Sequence, residues 1–213
     1  MKLYTYFRSS AAYRVRIALN LKGLTAELIP VHLVRNGGEH LTAQYKDLNP
    51  NAVVPTLVDH GTALTQSIAI IEYLDEVYPA INLLPKDPIA RAQIRAIALT
   101  IACDIHPLQN LRVLNYLGDN LSLSDEQKKD WYRHWVSNGL SAVESMVTKL
   151  GNTPFCYGDT ATLADICLIP QLFNARRVKT DLSSMPNLLR IEANCEKLSA
   201  FQLAAPAKQA DFE

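Results

Sequence analysis

The chain has 213 residues, 48% of them apolar, which suits one large domain or two small ones with a substantial buried core. Lys+Arg and Asp+Glu stand at 21 each, so no net field recruits nucleic acid or an anionic membrane, and the longest apolar runs are too short to span a bilayer. The opening MKLYTYFRSS lacks the apolar core of a secretory signal, and Cys103, Cys156, Cys167 and Cys195 form no C-x-x-C pair and no metal spacing, so the expectation is a cytoplasmic protein without a metal whose thiols are mostly small buried hydrophobes.

The first eighty residues alternate extended and helical patterns. KLYTY reads as a short strand. SSAAYRVRIALNLKG reads as a helix, with Val15, Ala18 and Leu19 on one face and Gly23 as its stop. ELIPVHL has the period of a strand, and its Pro30 favours a sheet edge. EHLTAQYKDLN places Leu41, Tyr45 and Leu48 on one helical face, and PTLVDHGTAL is a hairpin turning at Asp59-His60-Gly61. SIAIIEYLDEVYP is a third helix, using Ile71, Leu74 and Tyr78 and stopped by Pro79. The order βαβαββα describes a mixed sheet with helices packed on it.

After the proline-rich connector at residues 83–88, strand signals end. Ala90, Ile94, Ile97, Ile101, Ile105 and Leu108 recur as on one long amphipathic helix, which Pro107 is expected to bend. Ser124 caps a second long helix running to Leu150; Thr162 and Asp165 form a capping box for a third; PNLLRIEANCEKL supplies another. The expected division is an α/β domain at 1–82, a linker at 83–88 and an all-helical domain at 89–213.

Three stretches in the first domain admit both a plain and a chemical reading. Ser9 and Ser10 open the first helix, where a serine is an ordinary cap; the same hydroxyl at the positive helix end would also favour a thiolate, which a ligand would have to bring. Val54-Pro55 is either a loop-to-strand proline or a cis bond beside which an extended peptide pairs with the main chain. Gln66-Ser67 starts the third helix, with Ser67 as its expected cap, and its free amides suit a carboxylate. Together they outline a pocket for a small, acidic, thiol-bearing peptide. Arg14 and Arg16 are expected to face solvent or pair with acids, and Arg176 to be solvated.

The segments YFRSSAAYRVRIAL, LNPNAVVPTLV, QSIAIIEYLDE, DIHPLQNLRVL and GDTATLADICLIPQLFNARRVKTDL resemble the zeta class of glutathione transferases, over about residues 2–206. The resemblance implies a thioredoxin-like N-terminal domain, an all-helical C-terminal domain, a homodimer and glutathione as cofactor. Position by position it implies Ser9 as the hydrogen-bond donor to the glutathione sulfur, with Ser10 beside it and Arg8 sharing the catalytic role. Ala11, implied with Ser9 and Ser10 among the glutathione-binding residues, stands where the class usually has cysteine. His40 is implied at the glycine end of glutathione, Val54 at its cysteinyl main chain, and Gln66 and Ser67 at its γ-glutamyl carboxylate. Asp104, His106 and Asn110 are implied as further glutathione contacts, though His106 and Asn110 read in isolation as a solvated helix face. Arg8, Arg112 and Arg177 are implied as partners of substrate carboxylates. The implied activity is glutathione-dependent cis–trans isomerisation of an unsaturated keto diacid, with the longer maleyl-type diacid as the first expectation and a shorter one as the alternative. Transfer chemistry on α-halo acids and a non-catalytic glutathione-binding protein are the alternatives.

Overall fold

Strand β1 (Lys2–Thr5) buries Leu3 and Thr5 and leaves Lys2 exposed, the alternation a half-buried strand requires. A computed structural model, which describes residues 1–213, places β1 parallel to β2 (Glu27–Pro30) and antiparallel to β3 (Thr56–Asp59), with β4 (Thr62–Thr65) closing the order β2-β1-β3-β4. Register pairs Leu3 with Leu57, and both are fully buried. The β3–β4 turn has left-handed φ at His60 (47°) and Gly61 (77°), the conformation two-residue hairpin loops select. Pro30 lies on the edge strand β2, as its missing N–H demands, but the strand stops there rather than continuing through Leu33.

Helix α1 (Ser10–Leu21) runs between β1 and β2 and ends in a Schellman arrangement, with Leu24 N–H donating to Leu19 C=O at 2.9 Å and Gly23 N–H to Asn20 C=O at 3.1 Å. It is buried on nearly every side, which overturns the solvent-facing alternative for Arg14 and Arg16: they are 1% and 3% exposed. Burial of a guanidinium is tolerable only where its donors are met. Arg16 meets this, donating to Thr5 Oγ1 (2.9 Å), Tyr6 C=O (3.3 Å) and Phe7 C=O (3.0 Å); Arg14 donates from Nη1 to Ser67 Oγ (3.3 Å), while its Nε and Nη2 are buried without a hydrogen bond. Helix α2 is shorter than its pattern, Ala43–Leu48, after a separate 3₁₀ turn at Glu39–Leu41 that leaves Leu41 exposed. Helix α3 (Ser67–Val77) buries Ile71 and Leu74 as expected.

The chain divides into two compact units, residues 1–83 with 196–213, and residues 84–195. The helical domain therefore does not run to residue 213: its expected last eighteen positions belong to the first unit. There α9 (Ser199–Ala204) packs on α1, with Asn20 Nδ2 donating to Ala200 C=O (3.0 Å) and Arg16 Nε to Ala204 C=O (3.1 Å).

In the second unit, α4 (Pro88–Leu99) has Pro88 in its first turn and Asp87 as cap, Oδ2 accepting from Ala90 N–H at 2.8 Å. The single long helix expected here instead passes into a π turn (Thr100–Ile105) and a 3₁₀ turn (His106–Gln109), and α5 (Leu111–Asp119) follows as a separate helix. Changing the winding keeps Ile94, Ile97, Ile101 and Ile105 all fully buried across the switch. Helix α6 (Asp125–Leu150) has the Ser124 cap, completed by Gln127 into a box, and α7 (Leu163–Arg177) has the Thr162–Asp165 box. Asp165 Oδ2 accepts from Thr162 N–H (2.8 Å) and Oγ1 (2.9 Å), and Oδ1 from Cys156 N–H (2.8 Å). Helix α8 (Pro186–Cys195) completes the unit; Arg176 is exposed, as expected, and forks onto Glu192 of that helix.

Candidate active site

Ser9 is the N-cap of α1, and its Oγ accepts from Ala12 N–H at 3.2 Å. Capping uses an oxygen lone pair and leaves the hydroxyl proton available as a donor, so the plain and the chemical readings coexist on one side chain. Ser10 occupies the first helical position and is buried (5% exposed), whereas Ser9 is half-buried and Arg8 and Ala11 beside it are exposed and half-buried. The floor under this seam is an apolar cluster of Tyr6, Phe7, Val31, Tyr45 and Val54.

Val54 precedes a cis peptide bond to Pro55, and its main chain takes no part in the turn and loop hydrogen bonds. The segment is fixed by side chains that periodicity alone reads as helix packing. Tyr45 Oη and Asn49 Nδ2 both donate to Val53 C=O, at 2.9 and 2.7 Å, and both meet Thr56 Oγ1, at 3.0 and 3.2 Å. Tyr45 and Asn49 are thus positioning groups that sequence reasoning missed; the only signal was a helix sited immediately before the proline segment.

At α3 the expected cap moves by one residue. Gln66 holds the cap position at φ 69° without a side-chain hydrogen bond, and Ser67 is the first helical residue, its Oγ accepting from Arg14. A non-glycine residue in the left-handed region costs on the order of 1 kcal/mol, and it leaves the first-turn amides of α3 uncapped, which suits an external carboxylate. His40, in the 3₁₀ turn, is half-buried; its Nδ1 is buried without a hydrogen-bond partner, and burial, with Lys46 nearby, pushes its pKa down, so the ring is neutral at pH 7. The ring folds over Gly38 (φ 102°), where a Cβ would sit 2.6 Å from His40 Cε1.

The remaining expected residues belong to the second unit. Asp104 is exposed in the π turn and His106 half-buried in the 3₁₀ turn; Asn110 caps α5, its Oδ1 accepting from Arg112 N–H at 3.1 Å. Asn110 is therefore a helix cap rather than a face residue. Arg112 is exposed in the first turn of α5, where the helix dipole disfavours a cation, so the helix itself gives no reason for a charge of that sign there. Arg177, exposed at the end of α7, donates to Tyr132 Oη (3.2 Å) and lies 5.6 Å from that ring's centre. Trp131 Nε1 donates to Leu108 C=O at 2.7 Å and holds the 3₁₀ turn to α6.

A four-stranded βαβαββα unit with a serine capping its first helix and a cis proline before β3, joined to an all-helical unit, has the architecture of a glutathione transferase. The family model of the glutathione S-transferase N-terminal domain matches residues 8–77. A probable maleylacetoacetate isomerase of Vibrio cholerae is 50% identical over 98% of this chain and 97% of its own. Among solved structures, a holo maleyl pyruvate isomerase, a bacterial zeta-class glutathione transferase, superposes with a TM-score of 0.97 over the whole of both chains at 42% identity. A maleylacetoacetate isomerase of Methylobacterium extorquens, with bound malonate and glutathione, gives 0.95 over the whole of both chains at 37% identity. The chain belongs to the zeta class of glutathione transferases, the family of the maleylacetoacetate and maleylpyruvate isomerases.

Proposed function

We propose that the protein is a glutathione-dependent cis–trans isomerase of a maleyl keto diacid, with maleylacetoacetate, giving fumarylacetoacetate, as its substrate in tyrosine and phenylalanine breakdown. The observation that carries the reading is the half-exposed Ser9 at the amino end of a buried helix, its lone pair used in capping and its proton left to give. The residues also suit glutathione: the unpartnered His40 Nδ1 for its glycine end, the Val54 main chain for its middle and the uncapped first turn of α3, with Gln66 and Ser67, for its γ-glutamyl carboxylate.

Bound glutathione supplies a thiolate that adds to the cis double bond and is expelled after rotation about the resulting single bond, so it is not consumed. Ser9 Oγ–H and the positive end of α1 favour the ionised sulfur over the thiol. Ser10, buried at the first helical position, supports the seam rather than meeting the sulfur directly, and Ala11 supplies no competing thiol. Arg8, Arg112 and Arg177 bind the carboxylates and stabilise negative charge that develops on the substrate. Asp104, His106 and Asn110 are further glutathione contacts in this reading. The protein works as a homodimer in the cytoplasm. The shorter diacid, maleylpyruvate, is a second reading supported by the similarity to the zeta-class maleyl pyruvate isomerase.

The test is turnover of both purified cis diacids with and without glutathione. Isomerisation that requires glutathione and prefers maleylacetoacetate upholds the proposal. Preference for maleylpyruvate shifts it to the second reading, and halide release from α-halo acids with no isomerisation refutes both.

A further inference from the structure

The peptide of Phe7, two residues before Ser9, is held at both ends by groups remote in sequence. Its carbonyl accepts from the buried Arg16 at 3.0 Å, beside the bond from Arg16 to Tyr6 C=O. Its N–H donates to Asp211 Oδ2 at 2.9 Å, across 204 positions of chain. The neighbours of Asp211 reinforce the hold. The Phe212 ring meets Phe7 edge-on at 5.4 Å, and Glu213 pairs with Arg35 and lies 3.4 Å from His32 Nε2. His32 in turn packs edge-on against Tyr6 at 4.9 Å. Residues 211–213 therefore touch the seam that carries Ser9 and the β2–α2 loop that carries His40, and no role in glutathione chemistry attaches to them so far.

We propose that Asp211 is a positioning residue for the glutathione sulfur, fixing the Phe7 peptide so that the Ser9 hydroxyl points where the sulfur ionises. The proposal rests on the reading of Ser9 given above. A hydroxyl serves a thiolate only over a narrow range of distance and angle, and a loop tied at one end alone lets the donor wander by the fraction of an ångström that matters. The clamp has an electrostatic cost: a carboxylate near the sulfur by itself disfavours a second negative charge. Burial depresses the Arg16 pKa, which stands at about 10 with the charge of Asp211 partly offsetting the burial. Removing the charge and removing the hydrogen bond therefore act in opposite directions on the sulfur, and this makes the two roles separable.

Asp211→Ala and Asp211→Asn, made in the full chain, are compared by the pH midpoint of bound glutathione thiolate absorbance, by kcat and KM, and by thermal unfolding. Alanine loses the acceptor for Phe7 N–H. It is expected to raise the thiolate midpoint and lower kcat/KM about tenfold, with the loss in kcat and little change in diacid KM. Asparagine keeps an acceptor oxygen and loses only the charge, so its midpoint is expected at or slightly below the native one with most of kcat recovered, although both variants unfold at lower temperature because each removes the charge beside buried Arg16. Phe212→Ala, which leaves the charge intact, moves the midpoint in the same direction as Asp211→Ala by less. Equal thermal losses with an unmoved midpoint in all three variants would reduce Asp211 to a structural contact and overturn the proposal, as would a midpoint lowered by alanine. Ser9→Gly is the separate arm: if it leaves the midpoint unchanged, the reading of Ser9 fails; if it raises the midpoint while Asp211→Ala does not, only the positioning role fails.

Discussion

A serine hydroxyl carries one proton and two lone pairs, and at position 9 these have different tasks. The lone pair receives Ala12 N–H; the proton is what a sulfur would use. Substitution can separate them. Ser9→Ala removes cap and donor, with an expected loss of about 1 kcal/mol in stability. Ser9→Gly loses only a few tenths because glycine is a tolerable cap, yet it lacks the donor as completely as alanine. Both variants are expected to lose about a hundredfold in kcat, the scale of one donor aimed at developing charge. Activity that follows stability across the two would show that Ser9 is a cap and nothing more. Gly38 allows a parallel argument. A methyl group there meets both the His40 ring and Leu33 C=O, at 2.6 and 3.1 Å, and the backbone is left-handed. Gly38→Ala is expected to weaken glutathione binding, read by titration calorimetry, more than it alters kcat at saturating glutathione. At this scale Ser9 and Val54 could be singled out from the sequence because cap and proline chemistry marks their positions, whereas His40 rested on the family resemblance alone. Arg14 and Arg16 were misread because charge alone suggests solvent. What accommodates Arg16 is a ring of oxygens on Thr5, Tyr6, Phe7 and Ala204, drawn from segments up to 188 residues away, and Arg14 is held by Ser67 Oγ.

Elements are joined by a few buried polar links that single substitutions can cut. Lys22 at the end of α1 pairs with Asp75 of α3 at 3.1 Å, with side chains only 1% and 10% exposed, and Asp75 also accepts from Leu83 N–H at 2.7 Å. Asp75→Ala strands a buried ammonium and is expected to cost about 3–5 kcal/mol in urea unfolding, against the near-zero cost of removing an exposed pair such as Lys2–Glu27. Asp59 links the hairpin to α3, with Tyr73 and Tyr78 Oη donating to its Oδ2 at 3.0 and 2.7 Å. Burial raises its pKa, but the two phenols and His60 outweigh burial and hold it below the ordinary carboxylate value. A depressed carboxylate stabilises the fold above its unfolded pKa, about 3.9, and that contribution is lost as pH falls through the folded value. The stability gap between the native chain and Asp59→Asn is therefore expected to be flat near neutrality and to close below pH about 4; a gap independent of pH would show that Asp59 acts without its charge. The elements themselves were legible where chemistry marks their ends: Ser9, Ser124 and Thr162 announce α1, α6 and α7. The π turn after α4 carried no such mark. Its isoleucines keep helical spacing, and what the sequence leaves unsaid is that Gly139 of α6 approaches Ile105 so closely that a Cβ there would overlap its side chain.

At the scale of the whole molecule, the chain leaves its first unit at Leu83 and re-enters it at Glu196. Six-residue α9 is too short for periodicity to reveal, and its partner surface on α1 belongs to a helix whose buried faces exceed what the sheet and α3 could account for. Without residues 196–213, Arg16 Nε loses Ala204 C=O, Asn20 loses Ala200 C=O, and Phe7 N–H loses Asp211, while the apolar side of α1 under Phe201 and Ala204 meets water. A domain of about eighty residues has little stability in reserve, and exposing such surface at about 25 cal/mol per Å² is enough to exhaust it. Residues 1–83 alone are therefore expected to lack a cooperative thermal transition by circular dichroism. Adding a synthetic peptide of residues 196–213 is expected to restore one whose midpoint rises with peptide concentration, as linkage to a ligand of the folded state requires. A sharp transition in residues 1–83 alone, indifferent to the peptide, would mean that the returning segment is decoration on a domain already complete.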